Sequence, residues 1–493
     1  MKTLEILGAN RFDTYTKTRD GCRAVIIRDG RILLSHETVS GWWLIPGGGM
    51  EDGETPEECV VREVREETGM IVRPKEQFLT IYEYYEEYRY TSHYFVCEVT
   101  GEGKLHLTDE EKRRGLVPEW LPLQEAIDLF SKHESYAEVS EEKRGSYQRE
   151  YMALSEYMKY RLRQTFPGIS LAYADASGST KSWCYGSADR EENIPVDENT
   201  IFPANSISKF ITAICVMRKN EQGVLDIERP VDHYLRRWKL VTPAGAESGA
   251  AIRDLLCHTA GITDGEDAFY GLRRNDPPVA PIDVLEGRTS YNKKPARGEN
   301  APGTVFEYSD AGYCVLQLLL EELAQKPFDD VAKELLFDPL DLRSTFFASP
   351  ENVAFYEKEH VMAAGYDENG RAIPGKYPQV PDLAASGLWS TPKELLVIAK
   401  EFVKACSGKS SLLRETSALE ITRANAKFPW TGLGVFMGGE NEIISRGWGE
   451  NGQSILKINY VTGETAVVMT NRDPGADQSE SGLEWLAGEG RNL

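Results

Sequence analysis

Gly48-Gly49-Met50-Glu51-Asp52-Gly53-Glu54-Thr55-Pro56-Glu57-Glu58-Cys59-Val60-Val61-Arg62-Glu63-Val64-Arg65-Glu66-Glu67-Thr68-Gly69-Met70 is a glycine turn followed by an acidic segment with helix signals at both ends. Thr55 suits an N-cap, Pro56 the first helical position, and Glu58 completes a capping box. Gly69 is placed to end the helix, so the spacing predicts one from about Thr55 to Thr68. Glu63, Glu66 and Glu67 then share a face, because residues three and four apart stack on a helix. Stacked like charges repel unless something positive sits among them. Hard oxygens on one face suit Mg²⁺ or Mn²⁺, with phosphate oxygens completing the shell. A solvated acidic face is the plainer alternative for the same pattern.

Around this segment the chain alternates strands and helices. Cys22–Ile27 and Arg31–Leu34 flank a turn at Asp29-Gly30, with the second strand expected to run to residue 46. The aromatic run from Ile81 and the apolar run Tyr94–Cys97 read as strands, and Glu119-Trp120-Leu121 leads into a helix near Leu123–Phe130. A polar helix from about Glu142 to Arg163 follows, broken by Phe166-Pro167-Gly168. Beyond it come strands at Ile169–Tyr173 and Ser182–Gly186, then a helix from Ser206. Further helices fit Tyr313–Leu323, Phe328–Leu336 and Lys393–Val403, and strands fit Leu433–Phe436, Ile455–Tyr460 and Thr465–Thr470. Strands at both ends with helices between predict one sheet built from the two termini of this region and a helical lobe inserted in it.

Composition narrows the function classes. The 493 residues carry 78 acidic and 56 basic groups, a formal charge of −22, which opposes a nucleic-acid backbone or an anionic membrane as main partner. Residues 1–165 hold 23 basic against 31 acidic groups, so the first third is not a basic arm either. The eight cysteines are widely spaced and predict buried thiols rather than a zinc site or disulfide framework. Met1–Arg23 has no apolar core of a leader, and no run reaches the roughly 20 apolar residues that span a bilayer. A cytoplasmic protein acting on small molecules, without nucleic-acid or membrane partners, is expected. The oligomeric state stays open.

The Gly48–Met70 stretch resembles the Nudix box at Gly48, Glu54, Arg62, Glu63, Val64, Glu66, Glu67, Gly69 and Met70. The resemblance implies an α/β/α sandwich that hydrolyses a nucleoside diphosphate linked to another moiety, with Mg²⁺ or Mn²⁺ as cofactor. By it, Glu63, Glu66 and Glu67 hold the metal, the Gly48 carbonyl joins them, and Glu54 and Arg62 orient the carboxylates. The family's general base lies outside the box, and Glu98, Glu110 and Glu111 are the candidates here. Tyr82, Tyr84 and Tyr85 are placed to stack a base, or simply to pack in a strand.

A second constellation is Ser206-Ile207-Ser208-Lys209, a hydroxyl and an amine one helical turn apart. Lysine activates a serine only when neutral, and moving it from about 10.4 to about 7 requires roughly 4.6 kcal/mol from burial or neighbouring cations. Phe202–Ala213, Gly223–Ile227 and Leu255–Ile262 resemble the serine beta-lactamase and penicillin-binding-protein superfamily, nearest its class C and esterase-like branch. Phe306–Tyr313, Ser386–Pro392 and Val467–Asn471 continue the likeness. The resemblance makes Ser206 the nucleophile, Lys209 its activator and Tyr308 the proton relay to the leaving group. His258 reads as a packed or capping residue. Two departures stand out: Asp310 replaces the usual asparagine, and the third motif falls within Ser445–Glu450 in an unsettled register. Trp448-Gly449 is the favoured register there, and Arg446 stands in for the missing lysine.

These readings predict an α/β multidomain protein. Residues 1–163 form a Nudix sandwich, and residues 164–493 a beta-lactamase-like domain of antiparallel sheet and helical lobe. Two hydrolytic activities are expected. A nucleotide-sensing first domain and a catalytically silent second domain are the alternatives.

Overall fold

The computed structural model describes residues 2–7 and 15–489, so the parts of the Met1–Arg23 reading at residues 1 and 8–14 lie outside it. The chain divides into two compact units, residues 1–162 and 163–493. Among the described residues no helix is long and apolar enough to cross a membrane.

The first unit is built on one eight-stranded mixed sheet. Its path runs Lys2–Leu7, Met70–Tyr85, Tyr88–Glu102, Lys17–Arg28, Arg31–Glu37 and Trp42–Leu44. Gly47–Gly49 joins the Lys17–Arg28 strand and Leu116–Pro122 joins Arg31–Glu37. The strand expected over 31–46 is therefore two strands. They are split at Gly41, which takes a left-handed φ of 68° and returns its N–H to the Glu37 carbonyl.

Successive side chains on a strand face opposite ways, and this makes the layers. Phe95 packs with Cys22, Ala24, Leu33, Val60 and Val64 beneath the acidic helix, Pro56–Thr68. Its neighbour Tyr94 faces the helix Glu141–Thr165, where its hydroxyl donates to Glu150. The capping box at Thr55 and Glu58 and the left-handed Gly69 are both present, so the acidic helix runs the length its sequence predicts.

The second unit centres on a seven-stranded antiparallel sheet. Its first strand, Gly168–Ala174, pairs with its last, Thr465–Thr470, in the register Ile169↔Thr470 to Ala174↔Thr465. The helical lobe lies between these strands in sequence. Its central helix, Ser208–Glu221, is buried from Ser208 to Met217 without interruption, consistent with apolar residues on every face. Asp310–Ala324 is buried almost as fully. Three short strands, Phe202–Asn205, Leu388–Ser390 and Phe346–Phe347, make a small second sheet. Seven of the eight cysteines are buried and all eight are free.

Two boundaries differ from expectation. The helix expected at Ser206 begins at Ser208, because Asn205 adopts a left-handed φ of 47° and Ser206-Ile207 form a turn. The strand expected over Leu433–Phe436 shrinks to Phe436–Met437. Gly434 is also left-handed, and a Cβ there would lie 2.6 Å from the Lys209 carbonyl oxygen. That segment is a close backbone approach to the central helix instead of a ladder.

Candidate functional sites

In the first unit, Arg62 organises the acidic face. Its Nε and Nη2 donate to the two carboxylate oxygens of Glu54 at 2.8 and 2.9 Å. Nη1 donates to Glu63 at 2.8 Å and Glu66 at 3.2 Å, and Nη2 also reaches the Gly49 carbonyl at 3.0 Å. The bidentate contact with Arg62 pulls the Glu54 carboxyl down to about 2. Burial raises the Glu63 carboxyl above its ordinary value despite Arg62. The Glu63 carboxylate lies over Gly48, where a Cβ would come within 2.6 Å of it. Glu67 points inward, accepting from Ser35 Oγ at 2.8 Å and the Gly47 N–H at 3.1 Å. Burial pushes its carboxyl up to about 7.

Among the described residues no group of three His, Cys, Asp or Glu side chains closes into a preformed metal cage. The donor set still fits a hard divalent cation. Burial penalises the charge of both Glu63 and Glu67, neighbouring carboxylates add to it (Glu66 at Glu63, Glu63 at Glu67), and the Gly48 backbone lies directly against the Glu63 carboxylate. A cation among these oxygens relieves both penalties.

Beside this face lies a cavity of about 700 Å³ whose lining includes Arg19, Gly48, Tyr85, Tyr90, Glu110 and Glu111. Of the three base candidates, Glu110 ion-pairs with Arg114 and Glu111 closes the capping box on Thr108, while Glu98 is held by Arg73 and Lys75 and does not line the cavity. Of the tyrosines proposed for stacking, Tyr85 lines it. Tyr82 sits under Arg89 and Tyr84 packs on Tyr15. Tyr90, absent from the sequence reading, lines it as well.

In the second unit the turn after Asn205 presents Ser206. Asn205 tolerates the left-handed conformation better than most residues and is locked there by its Nδ2 donating to the Gly452 carbonyl at 3.0 Å. Ser208 closes the turn from within, its Oγ donating to the Asn205 carbonyl at 2.6 Å. Lys209 follows one turn on and is 3% exposed. Its Nζ donates to Ser206 Oγ at 3.1 Å, Asp310 Oδ1 at 2.6 Å and the Ala385 carbonyl at 3.0 Å. Burial alone would lower its pKa, but the Asp310 carboxylate and Tyr308 outweigh burial and hold it above the ordinary lysine range. All three ammonium protons are engaged.

The Tyr308 hydroxyl faces Lys209 and Ser206 while much of its ring stays open to solvent. Burial of the hydroxyl end, then the Asp310 charge, keep it above the usual tyrosine value although Lys209 and Ser206 pull it down. The ring stacks on His258 at 4.4 Å between centroids. His258 is buried and held neutral by burial and by the Lys209 charge, and its Nδ1 accepts the Ser309 N–H at 3.1 Å. It therefore positions the segment that carries Tyr308 and Asp310.

Two carboxyls that the sequence reading missed complete the setting. Asp264 accepts from Ser309 Oγ at 2.7 Å and the Asp310 N–H at 2.6 Å, fixing the start of the Asp310 helix. Burial, then the Asp310 charge, push it up to about 6. Asp382 is fully buried, accepts the Tyr291 hydroxyl at 2.6 Å, and starts the short helix Leu383–Ser386 that supplies the Ala385 carbonyl. Burial, then Asp310, push it up to about 8. Both lie far from Ser206 in sequence; Asp382 starts a short helix, whereas Asp264 sits in a loop with no local signal.

The third-motif strand, Glu442–Gly449, turns its glycines toward the serine strand. A Cβ on Gly447 would fall 2.2 Å from the Ala204 carbonyl oxygen, and one on Gly449 2.6 Å from Asn205 Oδ1. By alternation Arg446 and Trp448 face the other way. Arg446 pairs with Glu484 at 2.7 Å and Trp448 Nε1 donates to Asp473 at 2.9 Å. Arg446 and Trp448 thus point away from Ala204 and Asn205, while Gly447 and Gly449 bring their strand against the segment that leads into Ser206.

Comparison with known proteins agrees with this layout. The family model "Beta-lactamase" matches residues 147–489 and "NUDIX domain" matches residues 17–142. A beta-lactamase of Providencia stuartii is 25% identical over 234 residues, which are 48% of this chain and 55% of that one. Esterase EstB of Burkholderia gladioli is 30% identical over 181 residues, 36% of this chain and 45% of its own. The chain thus spans about half the length of these curated relatives. Among solved structures, the octameric penicillin-binding protein homologue from Pyrococcus abyssi superposes with a TM-score of 0.55 at 22% identity, covering 68% of this chain and 76% of that one, a likeness of fold. Through residues 147–489 the chain belongs to the Beta-lactamase family, and through residues 17–142 it carries a NUDIX domain.

Proposed function

We propose that residues 1–163 hydrolyse a nucleoside diphosphate linked to another group, and that residues 164–493 hydrolyse an ester or amide through an acyl-serine. The observation that carries the second activity is the contact of one buried ammonium with Ser206, Asp310 and Ala385 under Tyr308. The first rests on the Arg62-ordered carboxylates beside the cavity.

In the first unit Glu63, Glu66, Glu67 and the Gly48 carbonyl would hold Mg²⁺ or Mn²⁺. The bound cation would neutralise charge developing on the pyrophosphate oxygens and lower the pKa of a bound water. Arg62 keeps Glu54, Glu63 and Glu66 in place, and Gly48 leaves the space that the Glu63 carboxylate occupies. Glu110 and Glu111, in the cavity wall, remain the carboxylates that would take a proton from attacking water once released from Arg114 or the Thr108 cap.

In the second unit Ser206 Oγ forms the bond to the carbonyl carbon while its proton leaves toward Lys209. Lys209 must first give up one of its three engaged protons, and Asp310 and the Ala385 carbonyl oppose that loss. Tyr308 protonates the departing oxygen or nitrogen. Backbone N–H groups of Ser206 and of the Glu442–Gly449 strand end would stabilise the oxyanion. Water then reverses the sequence and frees the acid.

A screen of nucleoside-diphosphate derivatives and small esters and amides, run on the whole chain with Glu67→Gln and Ser206→Ala, tests the reading. Divalent-cation-dependent release of a nucleotide should collapse by two orders of magnitude or more in Glu67→Gln and persist in Ser206→Ala. Ester hydrolysis should show the reverse. Turnover of either kind that survives its own substitution would refute that half.

A further inference from the structure

Starting at Tyr308, five aromatic rings run in sequence over the surface. Tyr308 stacks on Phe436 at 6.3 Å, Phe436 meets Phe306 at 6.4 Å, Phe306 meets Trp430 at 5.8 Å, and Trp430 meets Phe428 at 5.6 Å. Tyr308 is 40% exposed and Trp430 49%. The segment carrying Phe428 and Trp430 is held in place by its own polar contacts. Asn425 accepts the Lys427 and Phe428 N–H groups and its Nδ2 donates to Cys257 Sγ. Lys427 Nζ clamps the neighbouring loop through the Thr304 carbonyl at 2.6 Å, and Met437 N–H returns to the Trp430 carbonyl. Half-exposed large aromatics in a fixed arrangement leave an apolar surface uncovered, and such surfaces are where ligands sit.

We propose that these rings form the subsite for the leaving group of the Ser206 substrate, and that this group is aromatic or bulky and apolar. The inference rests on the serine-hydrolase reading above and extends it to substrate class. Tyr308 fixes the side. The group that protonates the departing atom must touch it, so whatever that atom carries extends past Tyr308 onto Phe436, Phe306 and Trp430.

The test compares kcat/KM for 2-phenylethyl acetate and ethyl acetate, which share an acyl group and have alcohols of similar basicity. The parent protein should prefer the phenylethyl ester by about tenfold or more, the scale of one well-placed aromatic contact. Trp430→Ala and Phe306→Leu should each remove most of that preference, with thermal melting confirming the fold. The ratio of ethyl phenylacetate to ethyl acetate, which reports the acyl side, should not move. An unchanged leaving-group ratio in both variants overturns the proposal, as does a loss confined to the acyl series. A change of sedimentation in Trp430→Ala without a change of ratio makes the patch an interface between copies and overturns it too. Fluorophosphonate labelling of the parent separates the two levels. Without an adduct on Ser206 the serine reading falls and takes the subsite with it. With one, a flat ratio removes the subsite alone.

Discussion

Replacing Asp310 by asparagine removes the strongest brake on Lys209. The carboxylate sits 2.6 Å from the ammonium. At an effective dielectric constant of about 20, unit charges at that separation attract by about 6 kcal/mol. Charge spread over two oxygens and the hydrogen bond that the amide retains reduce the loss to about 3 kcal/mol, or about two pK units for Lys209. The sign follows from the neutral lysine being the competent form. Lys209 is held above its ordinary value by Asp310, so the rising limb of the ester-hydrolysis profile lies at high pH and Asp310→Asn should move it about two units lower. Measured at one pH below both limbs, the variant should acylate up to about a hundredfold faster. Tyr308, Asp264 and Asp382 also face this cluster, so the limb belongs to the group as a whole. The assay is kcat/KM for a short acyl ester from pH 6 to the alkaline limit of stability. Limbs that superimpose, or a variant limb displaced upward, would refute the argument.

Three other outcomes follow from particular contacts. Gly48→Ala places a methyl within 2.6 Å of the Glu63 carboxylate, so divalent-cation-dependent turnover should fall by about one to two orders of magnitude with little change in melting temperature; unchanged turnover would detach Glu63 from that site. Short acyl esters should modify Ser206 faster than penicillins do, because Arg446 is turned to Glu484 and offers no cation to a beta-lactam carboxylate; a penicilloyl adduct forming first, seen by intact mass, reverses this. Asp382, pushed up to about 8 by burial, holds a proton in the folded chain that it loses near pH 4 when unfolded, so it subtracts stability as pH rises between those values. Melting curves at pH 5 and pH 8 should therefore converge in Asp382→Asn relative to the parent, and equal pH slopes in the two proteins would contradict it.

Local signals carried the reading furthest where capping chemistry and charge spacing act within one helix. Thr55, Glu58 and Gly69 bound the acidic helix in sequence and in structure, and the meeting of Arg62 with Glu54 and Glu63 was implied by the family resemblance rather than by spacing. The sheet shared by both ends of the second unit was legible from strands such as Thr465–Thr470 at the termini. What stayed hidden depends on contacts between distant segments. Nothing near Asp382 announces that its helix supplies a carbonyl to Lys209, and Asp264 reaches Ser309 across 45 residues. Small and large residues alternate along Ser445–Gly449, which puts Arg446 and Trp448 on one face, but the alternation alone does not say which face meets the serine segment. Two glycine clashes with Ala204 and Asn205 decide it in three dimensions. Gly434 likewise reads as a strand interior until the Lys209 carbonyl is seen against it.

The most direct measurement is peptide mapping by mass spectrometry after a fluorophosphonate has reacted with the intact chain. The account predicts one adduct, on Ser206, that forms in Glu67→Gln at the parent rate and is absent in Ser206→Ala. An unlabelled parent, or a label that persists in Ser206→Ala, would contradict it.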